Sequence, residues 1–314
     1  MMDTDLAPTP KHDGGGLEPA PFRVVAAWPA PAFVENLAVA PDGAVYLTVH
    51  SHSRIDRYDP ATGQTAVFAE LPAPPMGLAL DASGALWVTG GTMRTAPGFI
   101  WRLGPNGEVE HWAELPDASF LNGCAVHPNG RELLVCESGS GRIFSVDMRR
   151  PDAWSIWLED ERIGPGDSPY PGANGVKIRG GAAWISVSAR YEIVRAPILS
   201  DGSAGPLKAG FTEILADDFA FGASGALYVT THPAQSVVRI DASGARTTIA
   251  GPDQGAVGST ACAFGTAPGD EQALYVSTDG GFIVPHEGAI QDAKLVRLEV
   301  GEAGYPLLGE RRAG

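Results

Sequence analysis

Three observations predict an all-β chain, a six-bladed β-propeller whose four-stranded antiparallel blades surround a central channel. One strand-and-turn grammar recurs six times, the copies begin at a near-constant spacing, and turn-forming residues are plentiful while charge is sparse. The copies open at Glu35, Met76, Asn122, Asn174, Asp217 and Thr260, at intervals of 41 to 52 residues. That is the period of a four-stranded blade. Gly (40) and Pro (26) stand against 19 % charged residues, which suits short strands joined by tight turns better than helices.

Each copy reads alike. An alternating apolar strand ends at a Gly-bearing turn, Pro41-Asp42-Gly43 in the first copy and Ala223-Ser224-Gly225 in the fifth. A β-branched and aromatic strand follows, then a loop, then a third strand such as Ile55–Tyr58 or Val237–Ile240. Fourth strands are expected at 65–70, 108–114, 155–159, 211–215 and 246–250. The segment 22–28 has the same outer-strand character but precedes the first copy, so it should pair with the last blade and close the ring, leaving no open edge. Residues 1–20 are polar and rich in Gly and Pro and read as a flexible tail, leaving 21–314 as one propeller domain.

Bulk composition narrows the function classes. The net charge is −15, with 37 acidic against 22 basic residues, which repels phosphate backbones and anionic lipid heads. A small-molecule partner is expected, with neither nucleic acid nor membrane; no sequence signal speaks to oligomeric state. Cys124, Cys136 and Cys262 lie inside apolar runs without a CxxC pair and read as reduced, packed thiols. With no basic and apolar leader and no long apolar run, the chain reads as cytoplasmic.

The opening residue of each inner strand should sit at one mouth of the channel. Four of the six carry oxygen donors: Glu35, Asn122, Asn174 and Asp217. Two carboxylates converging in a narrow channel must raise each other's pKa or take up a cation. Carboxylate and amide oxygens form a hard donor set that favours Ca²⁺, with Mg²⁺, Mn²⁺ or Zn²⁺ as alternative occupants. The loop after the second strand returns to the same mouth and brings His50, Gly91, Glu137, Ser188 and His232 to equivalent places, with His52, Met93, Arg190 and Asp279 nearby. Asp217, His52 or His232 could take a proton from water. Asn122, Phe120, Met76, Met93, Glu137 and Arg190 are the expected substrate contacts.

With these residues in view, the chain resembles the SMP-30/gluconolactonase/luciferin-regenerating-enzyme family from about Phe22 to Val300. The likeness rests on Asn122-Gly123, Asn174-Gly175 and the run Ala261-Cys262-Ala263-Phe264-Gly265 before Leu274-Tyr275-Val276. The resemblance implies one divalent cation on Glu35, Asn174 and Asp217, with Asn122 reaching it through water or binding substrate. It also implies lactone or ester hydrolysis with Asp217 as base or proton shuttle. Three departures stand out: Asn36 where the family usually has Gly or Ser, Phe120 where it often has an Arg for a sugar lactone, and Asp218 where it has Gly. They point from a sugar lactone towards a more apolar lactone or ester. The variants at 35–39 and 217–221 also look like a divergent natural-product branch whose members steer pericyclic or lyase chemistry, here in an apolar cavity around Met76, Met93, Phe120 and Trp101. A binding or scaffold propeller is the third reading.

Overall fold

The computed structural model describes residues 13–307 and is a six-bladed β-propeller of four-stranded antiparallel blades. Blade 1 runs Val34–Val39, Val45–Val49, Arg54–Asp59 and Gln64–Glu70; blade 2 runs Pro75–Leu80, Leu86–Gly90, Gly98–Leu103 and Val109–Leu115. Blade 3 is Leu121–Val126, Glu132–Glu137, Arg142–Asp147 and Trp154–Glu159, and blade 4 is Ala173–Arg179, Ala182–Val187, Glu192–Pro197 and Lys208–Thr212. Blade 5 holds Phe219–Phe221, Leu227–Thr230, Val237–Ile240 and Arg246–Ala250. Blade 6 holds Ser259–Phe264, Ala273–Thr278 and Ala293–Glu299, and its fourth strand is Phe22–Trp28 from the other end of the chain. The ring closes as expected.

Two expectations need correction. The outer strand of blade 4 ends at Thr212, not Leu215, because Glu213 adopts a left-handed φ of 56° that breaks the extended run and turns 214–216 towards the channel. The expected flexible tail is docked from Asp13 onward: Gly16–Leu17 pairs in parallel with Arg246–Ala250, and the amides of Glu18 and Ala20 donate to the carbonyls of Thr248 and Ile249. Residues 1–12 lie outside the described residues.

Apolar side chains fill the spaces between blades rather than one central core. Leu78, Val88 and Trp101 of blade 2 pack on Ala38 and Ile55 of blade 1, and Trp112 meets Trp87 edge-on at 5.0 Å beside Cys124 and Val135 of blade 3. Such an aromatic pair contributes about 1 kcal/mol beyond its burial. Among the described residues no helix is long and apolar enough to cross a membrane.

The channel wall follows a rule of its own. In five inner strands the pairing register slips just where the channel residue lies, between Val34 and Leu37, Pro75 and Leu78, Leu121 and Cys124, Ala173 and Val176, and Ser259 and Cys262. A bulge of this kind re-aims one side chain. The amide freed by the slip is taken up by a hydroxyl on the second strand: Asn36 by Thr48 (2.8 Å), Gly77 by Thr89 (2.9 Å), Gly175 by Ser186 (2.7 Å). The same hydroxyls donate across to the next blade, Thr48 to Met76 O, Thr89 to Asn122 O, Ser186 to Asp217 O and Thr230 to Thr260 O. Blades approach so closely here that a Cβ on Gly77 would stand 2.3 Å from Asn122 O, and one on Gly123 would stand 2.7 Å from Asn174 O. That close approach is the physical reason for Asn-Gly at the third and fourth channel positions.

Candidate active site

At one mouth the bulges bring Glu35, Asn122 and Asn174, and the lead-in to the inner strand of blade 5 brings Asp217, into one cavity of about 300 Å³. The four are 2–8 % exposed. Two serines orient the amides. Asn122 Nδ2 donates to Ser138 Oγ (3.2 Å), which donates on to Ala173 O; Asn174 Nδ2 donates to Ser188 Oγ (3.1 Å), which donates on to Ala216 O. Asn174 Nδ2 also lies 2.5 Å from Asp217 Oδ1. With the nitrogens tied to the wall, the amide oxygens are left for the cavity.

The electrostatics are strained towards the acid side. Glu35 Oε2 is buried without a hydrogen-bond partner. Burial, then the nearby charge of Asp217, pushes the Glu35 carboxyl well above its ordinary range. Burial also raises Asp217, to about 6, against the opposing pull of His232. Burial alone would lower His232, but the carboxylates of Asp279 and Asp217 outweigh it and lift the imidazole to about 10. His232 Nε2 lies 2.9 Å from Asp279 Oδ2, and its Nδ1 lies 3.5 Å from Asp217 Oδ2. An imidazolium held between two carboxylates is a cation and proton donor, not a base, at neutral pH.

The mouth loops sort the other expected residues. His50–His52, Ser188–Arg190 and His232–Ala234 are each one 3₁₀ turn followed by a left-handed residue, Ser53, Tyr191 and Gln235. With three residues per turn, successive side chains face different ways. Ser188 and His232, first in their turns, line the cavity, whereas His50 hydrogen-bonds Pro75 O and packs on Phe33. His52 and Arg190 are corrections: both are exposed, His52 bonded to Ser51 Oγ and Arg190 to Glu161 O. Glu137 is also displaced from the expected contacts. It is buried behind the wall, where Oε1 accepts the amides of Ser119 (3.2 Å) and Phe120 (3.0 Å), so it positions Phe120 rather than substrate. Phe120, Met76 and Met93 do line the cavity, whereas Trp101 is buried between blades 1 and 2.

Asp279 is the group that sequence spacing noted only as nearby. Fully buried, it accepts the amides of Gly281 (2.7 Å) and Ile283 (3.0 Å) besides facing His232. Its signal in the sequence is an acid followed by two glycines at the mouth of the last blade. Gly258 makes room for it, since a Cβ there would collide with Asp279 Oδ1.

Fold and site together define a β-propeller with a polar ring and an apolar vestibule at one mouth. No family model matches the chain, and no curated protein matches it. Solved structures do. The calcium-binding protein regucalcin of Agrobacterium tumefaciens aligns over 95 % of this chain and 100 % of its own at 17 % identity, with a TM-score of 0.68. A gluconolactonase of Xanthomonas campestris aligns over 90 % of each chain at 14 % identity and 0.66. A virginiamycin B lyase of Staphylococcus aureus covers 84 % of this chain and 80 % of its own at 17 % identity and 0.54. At these identities the likeness establishes the fold.

Proposed function

We propose that the protein is a metal-dependent hydrolase of a small-molecule lactone or related ester, working at the ring of Glu35, Asn122, Asn174 and Asp217. The observation that carries this reading is the convergence of those four side chains in one cavity, with Glu35 Oε2 buried and unpartnered. Among the described residues no three His, Cys, Asp or Glu side chains are grouped to hold an ion, so the fit depends on the amide oxygens. Two carboxylates, one of them with an orphaned oxygen, and two amide oxygens suit a hard divalent cation such as Ca²⁺. When bound, the ion supplies Lewis-acid polarisation of the substrate carbonyl.

The chain's own residues do the rest. Glu35, Asn174 and Asp217 hold the ring, with the amides fixed by Ser138 and Ser188. Asp217, whose Oδ1 is held by Asn174, keeps Oδ2 as the proton acceptor for water. His232, held by Asp279, donates its proton to the departing oxygen and is reprotonated by Asp217, whose Oδ2 lies 3.5 Å from its Nδ1. The test is turnover of a lactone and ester panel before and after chelation, with elemental analysis of protein purified without chelator. Loss of both metal and turnover in Asp217→Ala is expected; activity surviving both treatments would end the reading.

A second reading, ring opening or another rearrangement without addition of water, is favoured by the apolar vestibule above the ring. Incorporation of ¹⁸O from labelled water separates the two. Placement in the cytoplasm accords with three buried thiols, none paired.

A further inference from the structure

We infer that the substrate is a neutral lactone or ester with one carbonyl head and an apolar body of about six to ten carbons, not a polyhydroxylated ring. This rests on the hydrolytic reading for its head group and on the vestibule for its body. Above the polar floor the cavity is walled by Phe33, Met76, Phe120, Leu215, Ile283 and Val284, with Tyr170 as a polar member of the lining. The six apolar side chains offer no hydrogen bond and one phenol cannot partner several hydroxyls, so most sugar hydroxyls seated there would be desolvated without partners. The rim cation, Arg94, is engaged by Pro169 O (2.8 Å) and lies 5.9 Å over the Phe120 ring, where it straps the mouth.

The wall is held in place, which distinguishes a built pocket from incidental apolar surface. Glu137 pins the backbone of Phe120, and Asp279 pins the amide of Ile283. Phe33 is held by Ser51 Oγ on its amide (3.0 Å) and stacks on Phe282 at 5.7 Å. Gln235 Nε2 donates to Val284 O (3.0 Å). Two buried carboxylates and two polar side chains, from blades 1, 3, 5 and 6, thus fix three wall segments around one apolar space. Met76 and Met93, beside Phe120, supply the adaptable surface.

The experiment measures binding and turnover separately on the metal-loaded protein. Binding is followed by calorimetry with unreactive γ-alkyl lactams from methyl to decyl and with glucono-δ-lactam; turnover is followed with the matching γ-alkyl lactones. Affinity should tighten about fourfold per methylene up to about hexyl and then level off, with glucono-δ-lactam binding at least tenfold more weakly than the hexyl lactam. Phe120→Ser should flatten the slope and Phe120→Leu should keep it. A flat series, or tighter binding of the sugar lactam, would overturn the inference even if lactones are hydrolysed. A steep lactam series without lactone turnover would sustain the apolar body and sink the hydrolytic reading together with the head group it supplies.

Discussion

Asp217 and Asp218 are neighbours in one strand lead-in, yet they belong to opposite halves of the channel. Asp218 faces the lower wall, where Lys177 Nζ sits 2.8 Å from both its oxygens in a buried pair. Below it the segment 301–307 crosses the far end, with Tyr305 N on Phe221 O and Leu307 beside a cavity of only about 50 Å³. Asp217 faces the mouth, among Glu35 and Asp279, with His232 as the cation beside it. In the wall, polar groups are matched across blades by hydroxyls and one ion pair. At the mouth, carboxylates outnumber their partners. Matched polarity builds a structure; unmatched polarity costs stability and persists where a ligand completes it.

The largest expected effect strikes the unmatched half. Glu35→Gln and Asp217→Asn should each lower kcat/KM about a thousandfold, equivalent to about 4 kcal/mol of transition-state stabilisation. Metal content should fall with it, while the melting temperature of the metal-free protein holds or rises because a buried charge has gone. Kinetics, elemental analysis and thermal scans check this. A lowered melting temperature in either variant with metal and activity intact would erase the contrast between mouth and wall.

Lys177→Met should do the reverse. It strands the Asp218 carboxylate and should cost about 3–5 kcal/mol in denaturant unfolding, with kcat of the folded fraction little changed. Adding Asp218→Asn should recover most of that loss. If the double variant is as unstable as the single one, the pair is not a matched unit.

How far the sequence discloses these two halves differs for physical reasons. Period and strand grammar reveal the propeller because every blade must bury the same faces, and the channel residues stand out because each opens a strand at the same register. The 3₁₀ turns are where reading fails. Spacing brings His50, His52, Ser188 and Arg190 to the mouth, but only the turn geometry decides that Ser188 faces inward and His52 and Arg190 outward. Glu137 shares the sequence spacing of His232 but not its register: it pairs with Leu121 as Val49 pairs with Val34, so Ser138 takes the equivalent place and Glu137 points behind the wall, onto the amides of Ser119 and Phe120. The hydroxyl column of Thr48, Thr89, Ser186, Thr230 and Ser277 is visible once the copies are aligned, but its role depends on how closely blades approach.

A pH series sharpens the comparison at a smaller scale. Asp217 is raised from 3.8 to about 6 and His232 from 6.5 to about 10, so the folded metal-free protein holds more protons than the unfolded chain. The contribution of Asp217 is full below about pH 4 and is lost as pH rises through about 6, an effect on the order of 3 kcal/mol. That of His232 is full below about 6.5 and is lost as pH rises through about 10. Urea midpoints of chelated protein should therefore fall from pH 4 to 8, and Glu35→Gln/Asp217→Asn should flatten that fall. A midpoint rising over this interval would show that the mouth is not short of partners.

The smallest effect tests the wall rule where it is broken. Blade 3 places Cys136, buried and with its thiol pushed upward by burial, at the position held elsewhere by a hydroxyl. In blade 2 the corresponding Thr89 accepts the Gly77 amide and donates to Asn122 O at 2.6 Å. Blades 3 and 4 are equally close, since a Cβ on Gly123 would touch Asn174 O. Cys136→Ser should restore the clamp to Asn174 O and stabilise the protein by about 0.5–1.5 kcal/mol, whereas Thr89→Val should cost about 1–3 kcal/mol by orphaning two buried groups. Equilibrium unfolding of both variants decides the matter. A serine that destabilises by as much as the valine would mean that the third blade meets its neighbour by packing alone, and that hydroxyl matching is a habit of the wall rather than its requirement.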